Sequence, residues 1–486
     1  MNPGTDRRLL AVDLGAESGR VVLGGFDGER LRLEEVHRFP NVPGKVAGTL
    51  YWDVLRLFTD VLDGVRRAGQ VDSIGVDTWG VDFALLDRAG RLLGNPIHYR
   101  DRRTAGMLAE ALRRVPAQEI YSRTGIQLLE INTLYQLLAM SLQGDPQLEA
   151  SERLLMMPAL FSAWLCGGRA SELTDVSTTG CYDPVAGGWA YDLLGRLGIP
   201  TLVFGEVVAP GTELGPLLPE LDLGAARVVA TASHDTASAV AGVPFEAGRP
   251  GAYISSGTWS LVGLECPAPV IGPAALAANL TNEAGVGGTV RLLRNVMGLW
   301  LLQECRRAWS RGGREWSYDD LLTMAEAAPP FAALIDPDDE RFLRPGDLPG
   351  AIAEACRETG QPAVAEPGAV VRCVLESLAL RYRWTLDRLQ SVTGAAIEVV
   401  HVVGGGARNR LLCQMTADAT GREVVAGPVE ATAAGNLVVQ ALALRMVGSL
   451  AEARELVRRS FRLDRYEPRC DERWEAAWAG WNRRFA

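Results

Sequence analysis

The chain has 486 residues, of which 48% are hydrophobic and 22% are charged. This length exceeds what one hydrophobic core usually serves, so we expect a globular protein of two domains. The net charge of −10 argues against nucleic acid or an anionic membrane as a partner, because both require a cationic surface.

Several classes of protein are excluded by the residues that the sequence lacks. Lys45, in a Pro-Gly-Lys-Val loop, is the only lysine. A Walker A loop, a protein-kinase catalytic strand and Schiff-base chemistry each need a lysine in a different setting, so all three are excluded. The eight cysteines form no CxxC pair, so neither a zinc site nor a disulfide framework is predicted. Whether Cys356 and Cys373 pair is left open.

Signs of export or membrane insertion are also missing. The sequence has no run of about twenty apolar residues, the length that spans a bilayer. Arg7 and Arg8 lead directly into an apolar strand, without the long apolar stretch of a secretory signal. We therefore expect a cytoplasmic protein without a membrane partner. Its apolar helix faces are compatible with either a monomer or a homodimer.

Strand-turn-strand units alternate with helices in the first half of the chain. The opening stretches LLAVDLG and VVLGGF flank a polar turn, Ala16 to Arg20, and predict a hairpin. The stretch SIGVDTWGVDFALLD repeats this design. Apolar residues at three- and four-residue spacing predict helices for WDVLRLFTDVLDGVRRA, TAGMLAEALRRV and NTLYQLLAMSL. The strand VVATA then leads into a helix start that contains His234 and Asp235.

The second half of the chain begins in the same way. The stretch GAYISSGTWSLVGLE is again a strand, a Ser-Ser-Gly-Thr turn and a strand, and the apolar VVHVV precedes Gly404, Gly405 and Gly406. A Pro- and Gly-rich stretch at 243–251 separates the two halves. We predict an α/β fold of two related domains, 1–244 and 245–486, that close over a central cleft, and a cleft is the default place for a site.

Asp13 is a candidate metal ligand. It follows a strand that should be buried, where an unpaired carboxylate would cost several kcal/mol. A divalent cation or its bound water would satisfy the charge, and magnesium typically takes one or two carboxylates together with phosphate oxygens. The alternative is a carboxylate that accepts hydrogen bonds from nearby main-chain amides.

Asp235 is the candidate catalytic base. At a helix start, the dipole and the free N–H groups favour the ionised carboxylate, which accepts protons rather than donating them. In phosphoryl transfer one aspartate takes the proton from the attacking hydroxyl. The alternative is an ordinary helix N-cap.

The glycine-containing turns are candidate phosphate sites. Glycine lets the backbone approach phosphate oxygens, and successive N–H groups form an anion-binding nest that needs no lysine. The three glycines from Gly404 to Gly406 follow a strand and precede a helix, where a phosphate or a flat ligand can lie on the backbone. Their spacing is not GxGxxG, so a Rossmann dinucleotide site is not supported. A tight structural turn is the alternative in each case.

Taken together, these stretches resemble the FGGY family of carbohydrate kinases, within the actin/hexokinase/Hsp70 superfamily. The likeness spans roughly residues 8–440, and it is carried by AVDLGAESGR, SIGVDTWGVDFALLD, SHDTASAV, SSGTWSLVG, RNVMGLWLLQ and VVGGGARN. The resemblance implies two ribonuclease H-like domains around a central cleft. It also implies ATP and Mg²⁺ as cofactors and transfer of the γ-phosphate to the 1-hydroxyl of L-rhamnulose.

The resemblance assigns roles residue by residue. It implies that Asp13 holds magnesium and that Asp235 is the catalytic base. The implied sugar contacts are Gly80, His234, Asp235, Thr236 and Asn295. The implied ATP contacts are Ala16, Glu17, Ser18, Gly19, Arg20, Thr258, Gln303 and Gly405. Glu17 departs from the family pattern, which more often has a small hydroxyl residue there, so this carboxylate must point outward or pair with Arg20.

Two other functions remain to be weighed. Another kinase of the same family, acting on L-fuculose, D-xylulose or a polyol, would share these motifs, because substrate choice depends on a few pocket contacts. A non-catalytic ATP-binding chaperone or sensor would not need a base beside a sugar contact. A DNA-binding regulator would need a basic face and a reading helix, and the sequence shows neither.

Overall fold

The computed structural model describes residues 7–485. These residues form two compact units. The first comprises the described chain up to Pro244 together with Glu265–Leu292 and Ala431–Phe461. The second comprises Phe245–Leu264, Leu293–Glu430 and the chain from Arg462 onwards. Each unit is therefore assembled from separate stretches of the sequence. The boundary expected between residues 244 and 245 stays a prediction.

The strands within residues 7–485 have between two and ten residues. In chain order they are β1 (Arg7–Leu14), β2 (Ser18–Phe26), β3 (Leu31–Pro40), β4 (Gly44–Val46), β5 (Thr49–Tyr51), β6 (Ser73–Thr78), β7 (Phe83–Leu86), β8 (Arg153–Met156), β9 (Ser171–Glu172), β10 (Tyr182–Asp183), β11 (Gly188–Trp189), β12 (Val207–Val208), β13 (Thr212–Pro216), β14 (Arg227–Ala230), β15 (Gly251–Ser256), β16 (Trp259–Cys266), β17 (Thr281–Ala284), β18 (Val290–Met297), β19 (Val399–Val403), β20 (Glu423–Ala426) and β21 (Asp464–Tyr466).

The helices occupy the stretches between the strands. They are α1 (Val54–Ala68), α2 (Met107–Arg114), α3 (Ala117–Thr124), α4 (Thr133–Gln143), α5 (Pro146–Ala150), α6 (Met157–Cys166), α7 (Leu173–Val176), α8 (Tyr191–Leu197), α9 (Asp235–Ala241), α10 (Pro273–Ala277), α11 (Trp300–Arg311), α12 (Tyr318–Ala327), α13 (Leu348–Glu358), α14 (Pro367–Thr393), α15 (Arg410–Thr420), α16 (Ala431–Ala443), α17 (Leu450–Ser460) and α18 (Glu472–Phe485).

The first unit is built on a six-stranded sheet with the order β13-β14-β6-β1-β2-β3. Strand β1 pairs antiparallel with β2, as the opening hairpin predicted, and parallel with β6. Strand β14 also pairs parallel with β6. The hairpin predicted for SIGVDTWGVDFALLD is wrong, because β7 pairs antiparallel with β8 in a separate two-stranded sheet and not with β6. Strands β1 and β6 are buried along nearly their whole length, because helices cover both faces of a parallel sheet.

The second unit contributes strands to a seven-stranded sheet, in which β18-β16-β15-β19-β20-β21 lie in this order. Strand β15 pairs antiparallel with β16 and parallel with β19, and β19 pairs parallel with β20. A hairpin followed by two parallel strands is thus the centre of both sheets. This repeated topology confirms the predicted α/β fold of two related ribonuclease H-like domains.

Small residues let two helices of the first unit approach closely. A Cβ atom on Gly435 of α16 would overlap the carbonyl oxygen of Ser238 of α9, and a Cβ on Gly242 would lie 2.7 Å from the carbonyl oxygen of Ala431. The two helices therefore pack backbone against backbone. This contact fixes the helix on which Asp235 is the first residue.

The sequence left open whether Cys356 and Cys373 form a disulfide, and it showed no membrane-spanning segment; the structure bears on both points. Cys356 and Cys373 are free thiols. A hydrogen bond between them lowers the pKa of Cys356 and raises the pKa of Cys373. Among residues 7–485, no helix is both long enough and apolar enough to cross a membrane.

Candidate functional site

Three parallel strands of the first unit end side by side and bring the candidate residues together. Beyond β14 the chain continues next to β6. Thr78, the last residue of β6, forms a parallel bridge with His234, and the Thr78 amide donates to Ser233 O at 2.9 Å. On the other side of β6, the Trp79 amide donates to Leu14 O at 3.3 Å. The carboxyl ends of parallel strands are where ligands bind in open α/β sheets.

Asp13 lies at the end of β1 and is paired with Arg20 of the neighbouring strand β2. The Arg20 Nε and Nη2 atoms donate to Asp13 Oδ2 at 2.8 and 2.7 Å. Both side chains are largely buried, with 15% of Arg20 and 9% of Asp13 exposed. The charge of Asp13 is thus met by a guanidinium, which neither of the two sequence interpretations foresaw.

Asp77 is a second carboxylate at this edge, and sequence reasoning missed it. The parallel register of β1 and β6 places Asp13 directly beside Asp77. Residues in register on adjacent strands, which lie about 4.8 Å apart, project from the same face of the sheet. Asn436 Nδ2 of α16 donates to Asp77 Oδ2 at 2.5 Å. Burial and the nearby charge of Asp13 raise the pKa of Asp77 well above its usual range.

The pair Asp13 and Asp77 fits the donor set of a magnesium ion that also binds phosphate. Asp77 Oδ1 is buried and has no hydrogen-bond partner among residues 7–485, so one acceptor at this place is unused. Magnesium commonly takes one or two carboxylates and completes its shell with water and phosphate oxygens. Within the described residues, no group of three or more His, Cys, Asp or Glu side chains is arranged to hold a metal ion.

Asp235 is the first residue of the short helix α9, and 29% of its side chain is exposed. The Thr236 hydroxyl donates to Asp235 Oδ1 at 3.1 Å. Burial raises the pKa of Asp235, and the nearby charge of Asp13 adds to the rise. The sequence predicted that the helix start would favour the ionised form. Burial outweighs that effect, so Asp235 is a stronger base than an exposed aspartate.

His234 precedes Asp235 and is almost fully buried between polar groups. Its Nε2 atom lies 3.4 Å from Asp235 Oδ1. Its Nδ1 atom lies 3.2 Å from Arg291 Nη2 and 3.4 Å from Glu283 Oε2. Its main-chain N–H donates to the Thr174 hydroxyl at 3.2 Å. The ring is therefore fixed on both sides, with Nε2 on the side of Asp235.

Gly80 lies next to the imidazole, in the turn that follows β6. A Cβ on Gly80 would lie 3.0 Å from Thr178 Oγ1 and 3.3 Å from His234 Nε2, so only glycine fits without displacing the ring. The next residue, Val81, has a φ of 66°, which is strained for a β-branched side chain. The Val81 amide donates to Thr178 Oγ1 at 3.1 Å, and the Thr133 hydroxyl donates to Val81 O at 2.6 Å. These bonds hold the strained turn beside His234.

The predicted ATP turn of the first unit joins β1 to β2. The Gly15 amide donates to Ser18 O at 3.0 Å, and Asn41 Nδ2 donates to Gly15 O at 2.9 Å. Ala16, Glu17 and Ser18 are partly exposed on this turn. Because Arg20 binds Asp13, the end of the turn is held at the sheet edge that carries Asp13 and Asp77.

In the second unit, Thr258 lies in the turn between β15 and β16. Its carbonyl oxygen accepts the amides of Gly298 at 3.2 Å and Trp300 at 3.1 Å. Gln303 lies one turn into α11, and its Oε1 atom is buried without a partner among the described residues. The turn and the start of α11 are therefore held together by main-chain bonds, with one amide oxygen available.

The glycine run after β19 packs against the strand that ends at Ser256. A Cβ on Gly406 would overlap the Ser256 side chain, and Gly404 has a φ of 81° and would place a Cβ 3.0 Å from Ser256 O. A Cβ on Gly405 would meet nothing within 4 Å. Gly404 and Gly406 are thus required by the fold, while Gly405 faces open space that a ligand can occupy.

The structure divides the predicted site residues between the two units. The first unit gathers Asp13, Ala16 to Arg20, Gly80, His234, Asp235 and Thr236 at one edge of its sheet. The second unit holds Thr258, Asn295, Gln303 and Gly405. Sequence reasoning missed Asp77, Glu283, Arg291 and Asn436. Of these, only Asp77 had a local signal, since GVDTWG repeats the valine-aspartate pattern of AVDLGA.

Comparison with known proteins places the whole chain in one family. Residues 9–242 match the N-terminal domain and residues 252–444 match the C-terminal domain of the FGGY family of carbohydrate kinases. A rhamnulokinase of Bacteroides thetaiotaomicron is 45% identical over 480 residues, which cover 97% of this chain and 98% of that protein. A rhamnulokinase of Pectobacterium carotovorum is 42% identical over 99% of this chain and 96% of its own.

Solved structures show the same fold at low sequence identity. The xylulose kinase from Lactobacillus acidophilus superposes with a TM-score of 0.80 at 16% identity, over 98% of this chain and 97% of its own. The Plasmodium falciparum glycerol kinase with ADP superposes with a TM-score of 0.76 at 17% identity, over 99% of this chain and 98% of its own. Both family models together match most of the chain, and the chain belongs to the FGGY family of carbohydrate kinases.

Proposed function

We propose that the protein is an ATP-dependent kinase that transfers the γ-phosphate of ATP to the 1-hydroxyl of L-rhamnulose, giving L-rhamnulose 1-phosphate and ADP. The observation that carries this proposal is Asp235, a base of raised pKa, beside His234 and close to the Asp13 and Asp77 pair. The identity of the sugar is supported by the similarity to rhamnulokinases over nearly the full chain.

The proposed chemical step is proton removal from the sugar hydroxyl by Asp235. Phosphoryl transfer needs little covalent help from the protein, so catalysis consists of positioning and charge stabilisation. The carboxylate of Asp235 accepts the hydroxyl proton as the oxygen bonds to the γ-phosphorus and ADP leaves. His234 and the Gly80 turn orient the sugar next to this carboxylate, and Thr236 fixes one of its oxygens.

Asp13 and Asp77 would hold Mg²⁺, through its water shell, when nucleotide is bound. The ion would supply charge neutralisation for the phosphate oxygens. Arg20, which binds Asp13, places a guanidinium at the same edge, where other nucleotide sites use a lysine. The partly exposed part of this turn, from Ala16 to Ser18, would offer main-chain N–H groups to phosphate oxygens.

The second unit would contribute to nucleotide binding through main-chain groups and one amide side chain. Thr258, Gln303 and Gly405 are the predicted contacts, and Gly405 has the open space that a nucleotide requires. Asn295 stays a predicted sugar contact. Dependence on ATP would place the proposed activity in the cytoplasm.

A panel of sugars tests the proposal. Purified protein with Mg-ATP is assayed for ADP release with L-rhamnulose, L-fuculose, D-xylulose, glycerol and no sugar. The highest kcat/KM is expected for L-rhamnulose, with little ADP release in the absence of sugar. If kcat/KM is highest for another sugar, the protein is a kinase of different specificity. Equal ADP release under all conditions would contradict the proposal and favour an ATP-binding sensor or chaperone.

A further inference from the structure

His234 is the only imidazole that touches the candidate base, and three charged groups of the first unit face its ring among the described residues. Asp235 lies on the Nε2 side at 3.4 Å. Arg291 and Glu283 lie on the Nδ1 side, at 3.2 and 3.4 Å. A neutral imidazole carries one proton, on either nitrogen, and the partner of one nitrogen decides what the other can do.

The guanidinium of Arg291 determines which nitrogen is protonated. A guanidinium has only donors, so its hydrogen bond to His234 requires Nδ1 to be an acceptor. A proton on Nδ1 would point a donor at another donor. Within residues 7–485, Glu283 is the one competing acceptor there, but its Oε2 atom lies closer to Arg291 Nη2, at 3.1 Å, than to the ring. The neutral ring then carries its proton on Nε2.

Both partners are held rigidly enough to enforce this choice. The Arg291 side chain is fully buried, and its Nε atom donates to Ala284 O at 2.9 Å. The charge of Arg291 keeps the pKa of Glu283 below its usual range in spite of burial. The Ala284 amide in turn donates to the Ser177 hydroxyl at 2.8 Å, which anchors strand β17 beside α7.

We propose that Arg291 and Glu283 are positioning residues that hold His234 as the neutral tautomer with its proton on Nε2, so that this N–H donates to a sugar oxygen beside Asp235. The role assigned to the N–H rests on the proposed function. The tautomer itself does not, because it follows from contacts within the first unit. Arg291 supplies the donor to Nδ1, and Glu283 holds the guanidinium in place.

Nitrogen-15 NMR of the intact protein tests the tautomer directly. The chain has four histidines, so ¹⁵N-histidine labelling gives four imidazole spin systems, and the system missing from His234→Gln assigns the signal. At neutral pH we expect the protonated-nitrogen shift at Nε2 and the unprotonated shift at Nδ1. A protonated Nδ1, whether in the other neutral tautomer or in the imidazolium, would overturn the proposal.

Substitution of Arg291 separates positioning from a general loss of stability. In Arg291→Met, Glu283 is the one partner of Nδ1 that remains among the described residues, so the proton is expected to move to Nδ1. Arg291→Lys retains a cationic donor and is expected to keep the proton on Nε2. Glu265→Gln is the matched control, because it breaks a largely buried carboxylate–arginine pair of the same unit, Glu265 with Arg454, without touching His234. A flipped tautomer in the control, or an unchanged one in Arg291→Met, would count against the proposal.

Kinetics link the tautomer to sugar binding. Loss of one donor to a sugar oxygen is expected to raise KM for the sugar about tenfold in Arg291→Met, with KM for ATP unchanged. Arg291→Lys should recover most of the sugar affinity.

If the sugar panel shows no kinase activity but the Nε2 proton is observed, the proposed function fails while the tautomer stands. If the kinase is active and Nδ1 is protonated, only the present inference fails.

Discussion

The two units position their candidate site residues in different ways. The carboxylate edge of the first unit is the sheet edge that carries Asp13, Asp77 and Asp235, and the glycine turns of the second unit are the turn at Thr258 and the run from Gly404 to Gly406. At the carboxylate edge, Asp13, Asp77 and Asp235 lie near one another, and the pKa values of Asp77 and Asp235 are raised. At the glycine turns, the order comes from main-chain hydrogen bonds and from glycines that allow close packing against Ser256. One region concentrates charge, and the other removes side chains.

This difference predicts how each region responds to mutation. Near-isosteric changes of charge at the carboxylate edge should alter chemistry while the fold persists. Addition of a single methyl group at the glycine turns should alter stability or nucleotide access without changing any charge. The four experiments below test this contrast, beginning with the largest expected effect.

Removal of the base should have the largest effect. Asp235→Asn keeps the shape of the side chain but cannot accept the sugar proton, so kcat should fall about 10²- to 10⁴-fold. Binding of L-rhamnulose, measured by calorimetry, should be nearly unchanged. Loss of the folded state in Asp235→Asn, judged by thermal unfolding, would show that this carboxylate is structural rather than catalytic.

Asp77→Asn should weaken the response to magnesium with no loss of stability. The pKa of Asp77 is raised, so the neutral amide resembles the protonated acid that burial favours, and Asn436 can keep its hydrogen bond to the remaining oxygen. The concentration of Mg²⁺ that gives half-maximal activity should rise about 10- to 100-fold. An unchanged magnesium dependence would show that Asp77 does not bind magnesium, and Asp13 would then be the one carboxylate assigned to the site.

Alanine substitutions in the glycine run should separate packing from ligand access. Gly406→Ala places a methyl group in the Ser256 side chain and should reduce the free energy of unfolding by about 1–3 kcal/mol. Gly405→Ala meets no atom within 4 Å and should unfold like the wild type, with KM for ATP raised and KM for sugar unchanged. Equal effects of the two substitutions on stability would contradict the assignment of open space to Gly405.

The pH dependence of catalysis should show the smallest effect. Asp235 must be ionised to act, and burial raises its pKa above the ordinary value of 3.8. As the pH falls through this raised pKa the base becomes protonated, so kcat/KM should decline on the acid side. The midpoint should lie above 3.8, and Asp235→Asn should lose this acid limb in its residual activity. An acid limb that persists in Asp235→Asn would assign it to another group.

The parts of the fold and site that could be predicted are those with local signals. The hairpins β1–β2 and β15–β16 and the glycine run after β19 were recognisable because alternating apolar residues and glycines act over a few positions. The hairpin predicted for SIGVDTWGVDFALLD was wrong because the partner of β7 is β8, a strand about seventy residues further along the chain. Asp13 and Asp235 were noticed because a carboxylate next to a buried strand, or at a helix start, is costly or unusual.

The remaining contacts depend on residues that are distant in the sequence. Arg20 binds Asp13 only because β1 and β2 pair in a particular register. Asn436 reaches Asp77 from a helix near the end of the chain, and Arg291 reaches His234 from a hairpin beyond the predicted domain boundary. No pattern of neighbouring residues marks these pairs, because three-dimensional packing alone brings them together.

The identity of the phosphorylated product tests the central claim most directly. Wild-type protein is incubated with Mg-ATP and L-rhamnulose, and ³¹P and ¹³C NMR locate the new phosphate ester while ADP is measured in parallel. The account predicts one ester at the 1-position of the sugar for each ADP formed. ADP formed without a sugar ester, or an ester at another hydroxyl, would contradict it.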